Sequence, residues 1–177
     1  KEASFTIPDS VTVIGDEAFS GCHSLTDVTI PDSVTTIGKS AFYYCSGLTS
    51  IVIPDSVTRV DDGAFFGCGE VTEVSIGKSV SYIGGSAFAC KVPEGAFDSM
   101  KEKITVAADN PAYCSINGDL YDKDATTLIQ YALAKPDKTF TVPDSVTLIE
   151  SGAVSNCKRL TEVILGSGVR EIGAQAF

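Results

Sequence analysis

The hydrophobic and polar residues of this chain recur in the same order at intervals of 23 positions. The phrase Ile-Pro-Asp-Ser-Val-Thr begins at Ile7, Ile30 and Ile53, and a nearly identical phrase begins at Val142. Periods of 20 to 50 residues are typical of repeat proteins, in which each unit buries its apolar side against the next unit. The pattern therefore predicts a stack of similar coils that share one continuous core.

Each unit combines a short strand with a compact return path. In the second unit, Val28 and Ile30 alternate with polar residues, as in a half-buried strand, and Pro31 ends this strand because proline lacks a backbone N–H. Residues 39–42 are predicted to form a single helical turn that places Phe42 in the core. A unit of this length favours a right-handed leucine-rich repeat solenoid, mostly β with short helical turns. A propeller of WD type needs about 40 residues per blade, and the chain has no tryptophan.

We expect a single domain of about seven coils. Regular coils are predicted for residues 1–99 and 137–177, separated by an irregular coil with a hairpin insertion at residues 100–136. Within the insertion, residues 120–129 have the pattern of two short strands around a polar tip, which predicts a β-hairpin. Neither end of the chain has the polar terminal unit usual in solenoids, so we expect a longer parent protein or pairing of ends between copies.

Composition narrows the choice of partners. The formal net charge is −10 and the pI is about 4.4, so the chain is repelled by phosphate backbones and by anionic membrane surfaces. The sequence contains no run of 18 apolar residues, which a transmembrane helix would require. We therefore expect neither a nucleic-acid partner nor insertion into a membrane.

The cysteines follow the repeat and do not suggest a disulfide framework. Four of them lie three residues after the main apolar position of the return path: Cys22, Cys45, Cys68 and Cys157. Thiols on neighbouring coils have parallel Cβ vectors, which is poor disulfide geometry, so we predict free, buried thiols. In similar repeats an asparagine or cysteine at this position satisfies backbone groups at the bend, and we expect the same role here. Cys90 lies one residue short of this position, and Cys114 lies in the insertion. Short C-x-x-C spacings, which zinc sites use, do not occur.

The sequence contains no catalytic motif. His23 is the only histidine and directly follows Cys22, whereas a catalytic Cys–His pair requires an imidazole that reaches the thiolate from across a cleft. No G-x-S-x-G element is present either. We expect no enzymatic activity and no cofactor. The aspartates of the Pro-Asp-Ser phrase form a column along the coils: Asp9, Asp32, Asp55 and Asp144. They could bind calcium, or each could organise the turn in which it lies, and the turn role is favoured.

The main candidates for binding are the outward residues of the aligned strands, which should form a continuous concave surface. The first column contains Thr26, Thr49, Thr72 and Thr161, the second Asp27, Ser50, Glu73 and Glu162, and the third Thr29, Val52 and Ser75. The alternative is an ordinary solvated β face, because threonine favours strands and the columns lack the Trp, Tyr and Arg of binding hot spots. Tyr43 and Phe66 share a position on neighbouring coils and are either an exposed aromatic anchor or packed under a loop.

The pattern IPDSVTxIGxxAFxxCxxLTxVxI resembles the BspA-like leucine-rich repeats of bacterial surface proteins, also found in some protists. The resemblance covers residues 3–99 and 137–177, and segments 109–113, 116–124 and 127–131 resemble an interruption common in that family. It implies a secreted or surface-attached protein that acts in adhesion and has no catalytic site. We therefore expect a non-enzymatic extracellular interaction or adhesion module that binds a host or matrix protein or a glycan. The alternative is a passive spacer within a longer surface protein.

Overall fold

Sixteen short strands make up the regular structure of the residues that the computed structural model describes, which are 3–89, 103–132, 135–155, 157 and 159–177. In chain order the strands are β1 (Ala3–Thr6), β2 (Val13–Ile14), β3 (Leu25–Thr29), β4 (Thr36–Ile37), β5 (Ser50–Ile53), β6 (Arg59–Val60), β7 (Glu73–Ile76), β8 (Tyr82–Ile83), β9 (Lys103–Val106), β10 (Tyr113–Ile116), β11 (Asp119–Asp122), β12 (Thr127–Gln130), β13 (Thr139–Thr141), β14 (Leu148–Ile149), β15 (Glu162–Ile164) and β16 (Glu171–Ile172).

Equivalent strands of successive coils form two columns, within which most neighbouring strands pair in parallel. The first column contains β1, β3, β5, β7, β9, β13 and β15, and the second contains β2, β4, β6, β8, β12, β14 and β16. In the first column Ile51 lies opposite Val74, and Val74 lies opposite Ile104. The pairing of β9 confirms the seventh coil, whose spacing in the sequence is irregular. The chain is therefore a mostly β solenoid of about seven coils.

The phenylalanines of successive coils form one stacked row inside the solenoid. The ring centroids of Phe19 and Phe42 are 4.9 Å apart, those of Phe42 and Phe65 are 5.0 Å apart, and those of Phe65 and Phe88 are 5.8 Å apart. The ring planes differ by 8° or less, and Phe42 and Phe65 are fully buried. This row confirms that equivalent residues of neighbouring coils lie directly over one another.

The predicted short helical turns are wrong, since the described residues contain no helix. Ser40 has a φ of 53°, in the left-handed region, and the Phe42 N–H donates to the Ala64 carbonyl of the next coil at 2.7 Å. The Tyr43 N–H donates to the Ser40 carbonyl at 3.0 Å. Amides thus alternate between the next coil and a local turn, which is incompatible with the i→i−4 bonds of an α-helix. The same left-handed position is occupied by Glu17, Gly63, Ser86, Gly152 and Gln175.

The insertion contains the predicted hairpin and a second one. Strands β11 and β12 are antiparallel, which confirms the prediction for residues 120–129. Strand β10 also pairs with β11, through a tight turn at Asn117 and Gly118 with φ values of 52° and 86°. Strand β12 then pairs in parallel with β14. The last strand of the insertion is therefore also the second-column strand of the irregular coil.

Among the residues that the structure describes, the buried hydrophobic residues fall into two clusters, whereas the sequence predicted one continuous core. Leu120 packs with the cluster of the first four coils, and the next residue, Tyr121, packs with the cluster of the last coils. Successive side chains of a strand point to opposite faces, which places β11 between the two clusters. Tyr131 takes the place of phenylalanine in the second cluster, because its N–H donates to the Ala153 carbonyl at 2.8 Å.

Candidate functional site

The strands of the first column bring the predicted binding residues together on one face. Ser50, Glu73 and Lys103 form a single row across three neighbouring strands. Eleven candidates lie on the strands of the first column or directly before them, and eight of the eleven are exposed: Asp27, Thr29, Thr49, Val52, Thr72, Glu73, Thr161 and Glu162. The other three, Thr26, Ser50 and Ser75, are partly buried. We call the outward residues of the first-column strands the strand face.

The threonines of the first predicted column also hold the coils together. The Thr49 hydroxyl donates to the Thr26 carbonyl at 3.3 Å, and the Thr72 hydroxyl donates to the Thr49 carbonyl at 3.3 Å. The Thr161 hydroxyl makes the same bond to the Lys138 carbonyl. Because these hydroxyl protons are used between coils, the predicted columns that start with Asp27 and Thr29 have more hydrogen-bonding groups left for a partner.

Carboxylates and apolar groups are interspersed on the strand face. Asp27, Glu73 and Glu162 are exposed in the second column, and the Glu162 carboxylate accepts a hydrogen bond from the Thr139 hydroxyl at 3.1 Å. In the third column, 60% of Val52 is exposed, the highest fraction among the large exposed hydrophobic residues. The face can therefore offer a partner both an apolar contact and negative charge.

The predicted aromatic pair lies on the return path, away from the strand face. The rings of Tyr43 and Phe66 stack with centroids 5.4 Å apart, and Tyr44 packs edge-on against both. Tyr43 is 38% exposed and Phe66 is partly buried. Tyr44 also covers Gly67, where a Cβ would come within 3.0 Å of its ring. The predicted site residues thus lie on two separate surfaces.

A cleft that the repeat pattern did not predict lies between the insertion and β13. It has a volume of about 450 Å³, and its lining includes Asp119, Tyr121, Tyr131, Lys135 and Thr139. The Lys135 ammonium donates to the buried Asp119 carboxylate at 2.7 Å and lies 4.8 Å from the centre of the Tyr131 ring. Burial raises the pKa of Asp119 above its usual range, while hydrogen bonds from Ala132 and Lys135 oppose this effect. We call this feature the hairpin cleft.

Two of the four aspartates considered for calcium, Asp55 and Asp144, bond to the next coil instead. The Asp55 carboxylate accepts the Lys78 N–H at 2.9 Å, and the Asp144 carboxylate accepts the Ser167 N–H at 2.7 Å. These backbone hydrogen bonds lower the pKa of both carboxyl groups. Within the described ranges, no three His, Cys, Asp or Glu side chains are grouped so as to hold a metal ion. His23 is exposed, with Nδ1 3.3 Å from the Ser46 hydroxyl.

Two of the repeated cysteines have the predicted role at the bend. The Cys45 thiol donates to the Phe19 carbonyl at 3.0 Å, and the Cys68 thiol donates to the Phe42 carbonyl at 3.3 Å. Burial raises the pKa of Cys45 to about 11 and that of Cys157 to about 12. Cys22 differs from the prediction because it is exposed.

The two remaining cysteines lie outside the repeated position. The Cys114 thiol is free and donates to the Asp122 carbonyl at 3.1 Å, between strands β10 and β11. Burial raises its pKa, so Cys114 is protonated at neutral pH. Cys90 lies outside the described residues.

The stacked coils, the two parallel columns and the open strand face define a leucine-rich repeat solenoid, a class whose architecture suits protein interaction. The chain belongs to the BspA type leucine rich repeat family, whose model matches six copies over residues 2–107 and 127–177. The comparison with curated proteins found no match. Among the described residues, no helix has the length and apolar character needed to span a membrane.

Similar solved structures come from bacterial leucine-rich repeat proteins. One from Eubacterium ventriosum has a TM-score of 0.73 at 26% identity, over 98% of this chain and 50% of its own. A leucine rich cell surface protein from Faecalibacterium prausnitzii has a TM-score of 0.62 at 31% identity, over 98% and 57%. The pneumococcal vaccine antigen PcpA shares the fold, with a TM-score of 0.72 at 21% identity, over 97% and 47%. This chain therefore spans about half the length of these proteins.

Proposed function

We propose that this chain is a non-enzymatic, extracellular interaction or adhesion module that binds a host or matrix protein or a glycan through its strand face. The observation that carries the proposal is the register of the first column, which sets exposed side chains of successive coils side by side. Similarity to a protein described as a cell-surface protein supports the extracellular location.

The chemistry of the strand face favours a partner with positive charge around an apolar contact. Val52 projects from the third column, and the carboxylates of Asp27 and Glu73 lie in the neighbouring column. Complementary charges speed association and disfavour wrong partners, while a buried apolar anchor supplies binding energy. A matrix protein with a basic surface meets both requirements.

The test is a binding measurement with two matched charge reversals, one on the strand face and one on a second-column strand of the solenoid. The chain is immobilised and titrated with a panel of matrix proteins and glycans. For a protein that binds, Glu73→Lys is expected to weaken binding at least about fivefold, because a positive side chain would then face a basic partner. The control is Glu171→Lys, the same change at an exposed position of strand β16, which does not belong to the strand face. Equal effects of the two changes would contradict a site on the strand face.

Two further results separate the alternatives. Loss of binding in Tyr43→Ser, with Glu73→Lys unaffected, would move the site to the aromatic cluster of the return path. Absence of saturable binding to every member of the panel would favour a passive spacer within a longer surface protein.

A further inference from the structure

The hairpin cleft lies where the insertion interrupts the first column of strands. Strand β9 pairs with β7, and β13 pairs with β15, but β9 and β13 belong to separate sheets. The turn between β10 and β11 fills part of the gap, and its Gly118 carbonyl accepts the Ile104 N–H at 2.8 Å. The space left between this hairpin and β13 is the cleft of about 450 Å³. That volume is within the usual range of small-molecule sites.

Two buried tyrosines line the hairpin cleft. Tyr121 is 1% exposed and Tyr131 is 2% exposed. In the part of the chain that the structure describes, neither hydroxyl makes a hydrogen bond to the protein. Buried hydroxyls almost always have a partner, because leaving one unpaired is unfavourable. Two such groups in one cleft indicate that something other than the described residues satisfies them.

The charged groups of the cleft already satisfy one another. The Asp119 carboxylate accepts the Ala132 N–H at 2.8 Å with one oxygen and the Lys135 ammonium at 2.7 Å with the other. The same ammonium occupies the face of the Tyr131 ring. A ligand cation would find this position filled, and a ligand anion would meet Asp119 and the exposed Asp137. The groups of the cleft that remain available to a ligand are therefore the neutral hydroxyls of Tyr121 and Tyr131.

We propose that the hairpin cleft binds one neutral sugar unit of a glycan ligand, with the hydroxyls of Tyr121 and Tyr131 bonded to sugar hydroxyls. Burial and the nearby Asp119 carboxylate raise the pKa of both phenols, so each remains neutral and can donate as well as accept. The exposed Thr139 and Thr141 lie on β13 at the edge of the cleft and continue the strand face. The inference rests on the proposed function, since it gives the glycan ligand of that function a site beside the strand face.

Removal of the two hydroxyls tests the inference without disturbing the packing. Binding of neutral methyl glycosides to the chain is measured by saturation-transfer NMR and by titration, for the original chain and for Tyr121→Phe and Tyr131→Phe. Each change is expected to weaken binding about three- to tenfold, the equivalent of one hydrogen bond. The thermal midpoint is expected to be unchanged or raised, because no bond within the protein is lost.

Tyr82→Phe is the matched control, because Tyr82 is a partly exposed tyrosine on the second column. Equal binding by the original chain and both cleft variants would overturn the proposal. Absence of binding by every glycoside up to its solubility limit would also overturn it. Neither result affects the test with Glu73→Lys, which concerns protein partners of the strand face. Failure of the sugar site and failure of the interaction module are therefore distinguishable.

Discussion

At the scale of single residues, Asn110 does the most to attach the insertion to the regular coils. Its side chain is fully buried, and its amide nitrogen donates to the carbonyls of Gly77 and Val80 at 2.9 and 3.0 Å. Its amide oxygen accepts the N–H groups of Ala112 and Tyr113 at 2.8 and 2.9 Å. All four hydrogen-bonding positions of the carboxamide are thus used. One side chain fixes the fourth coil against the start of β10.

Replacement of Asn110 by alanine should strongly destabilise the chain. Asn110→Ala leaves two carbonyls and two N–H groups without partners in a buried site, and each such loss costs about 1–3 kcal/mol. We expect the free energy of unfolding, measured by urea titration, to fall by at least about 3 kcal/mol. The control Asp109→Ala changes the exposed neighbour and should stay within about 0.5 kcal/mol of the original chain. A loss below about 1 kcal/mol in Asn110→Ala would show that water replaces the carboxamide.

At the scale of elements, the strand of each coil and the burial of Phe42 were predictable, whereas the backbone conformation of the segment after Gly38 was not. Alternation at Val28 and Ile30 and the stop at Pro31 are local signals, and β3 lies there. The segment after Gly38 has residues that tolerate a helix, so local preference predicted a helical turn. The bonds that decide its conformation run to the next coil, as from the Phe42 N–H to the Ala64 carbonyl. Such bonds between coils are not visible in the preferences of one unit.

The left-handed position of the return path gives a prediction at this scale. Glu17 has a φ of 56°, and this conformation costs a residue with a side chain about 1–2 kcal/mol. Glycine avoids that cost, but its greater freedom in the unfolded chain lowers the free energy of unfolding by about 0.5–1 kcal/mol. We therefore expect Glu17→Gly to raise the free energy of unfolding by about 0.5–1 kcal/mol. Gly63→Ala, at the equivalent position with a φ of 60°, should lower it by about 1 kcal/mol.

Lys39→Gly provides the comparison, because Lys39 is exposed and is not among the residues with positive φ. At this position glycine only adds freedom to the unfolded chain, so we expect the free energy of unfolding to fall by about 0.5–1 kcal/mol. Urea titration of the three variants measures all of these effects. Stabilisation by Lys39→Gly, or destabilisation by Glu17→Gly, would contradict the assignment of strain to this position.

The insertion shows which parts of the candidate site were predictable. The hairpin of β11 and β12 followed from two apolar pairs around a polar tip, but the tight turn at Asn117 and Gly118 was overlooked, although Asn-Gly is a strong hairpin signal. Tyr131 was not aligned with Phe88 because their spacing is not a multiple of 23 residues. The strand face could be read from alternation within each unit. The hairpin cleft could not, because it depends on the register between the insertion and β13.

At the scale of the whole molecule, the insertion divides a repetitive stack into two parts. Among the described residues, one buried cluster contains the first four coils together with Ile104 and Leu120, and the other contains Tyr121, Leu128 and the later coils. The first column is interrupted at the same place, between β9 and β13. The stability of a solenoid is close to a sum of contributions from units and from their interfaces. The break that opens the hairpin cleft should therefore also limit how far a local loss of stability spreads.

Two equivalent valines test this independence. Val57 and Val146 occupy the same position of the repeated phrase, are fully buried, and belong to the first and second clusters respectively. We expect Val57→Ala and Val146→Ala each to cost about 1–3 kcal/mol. In native-state hydrogen exchange, Val146→Ala should lower the protection of amides in β14 and the coils around it, while amides of β4 and β6 keep theirs, because openings occur in contiguous units. Val57→Ala should give the opposite distribution. If both variants lower protection equally along the chain, β11 couples the two clusters into one cooperative unit.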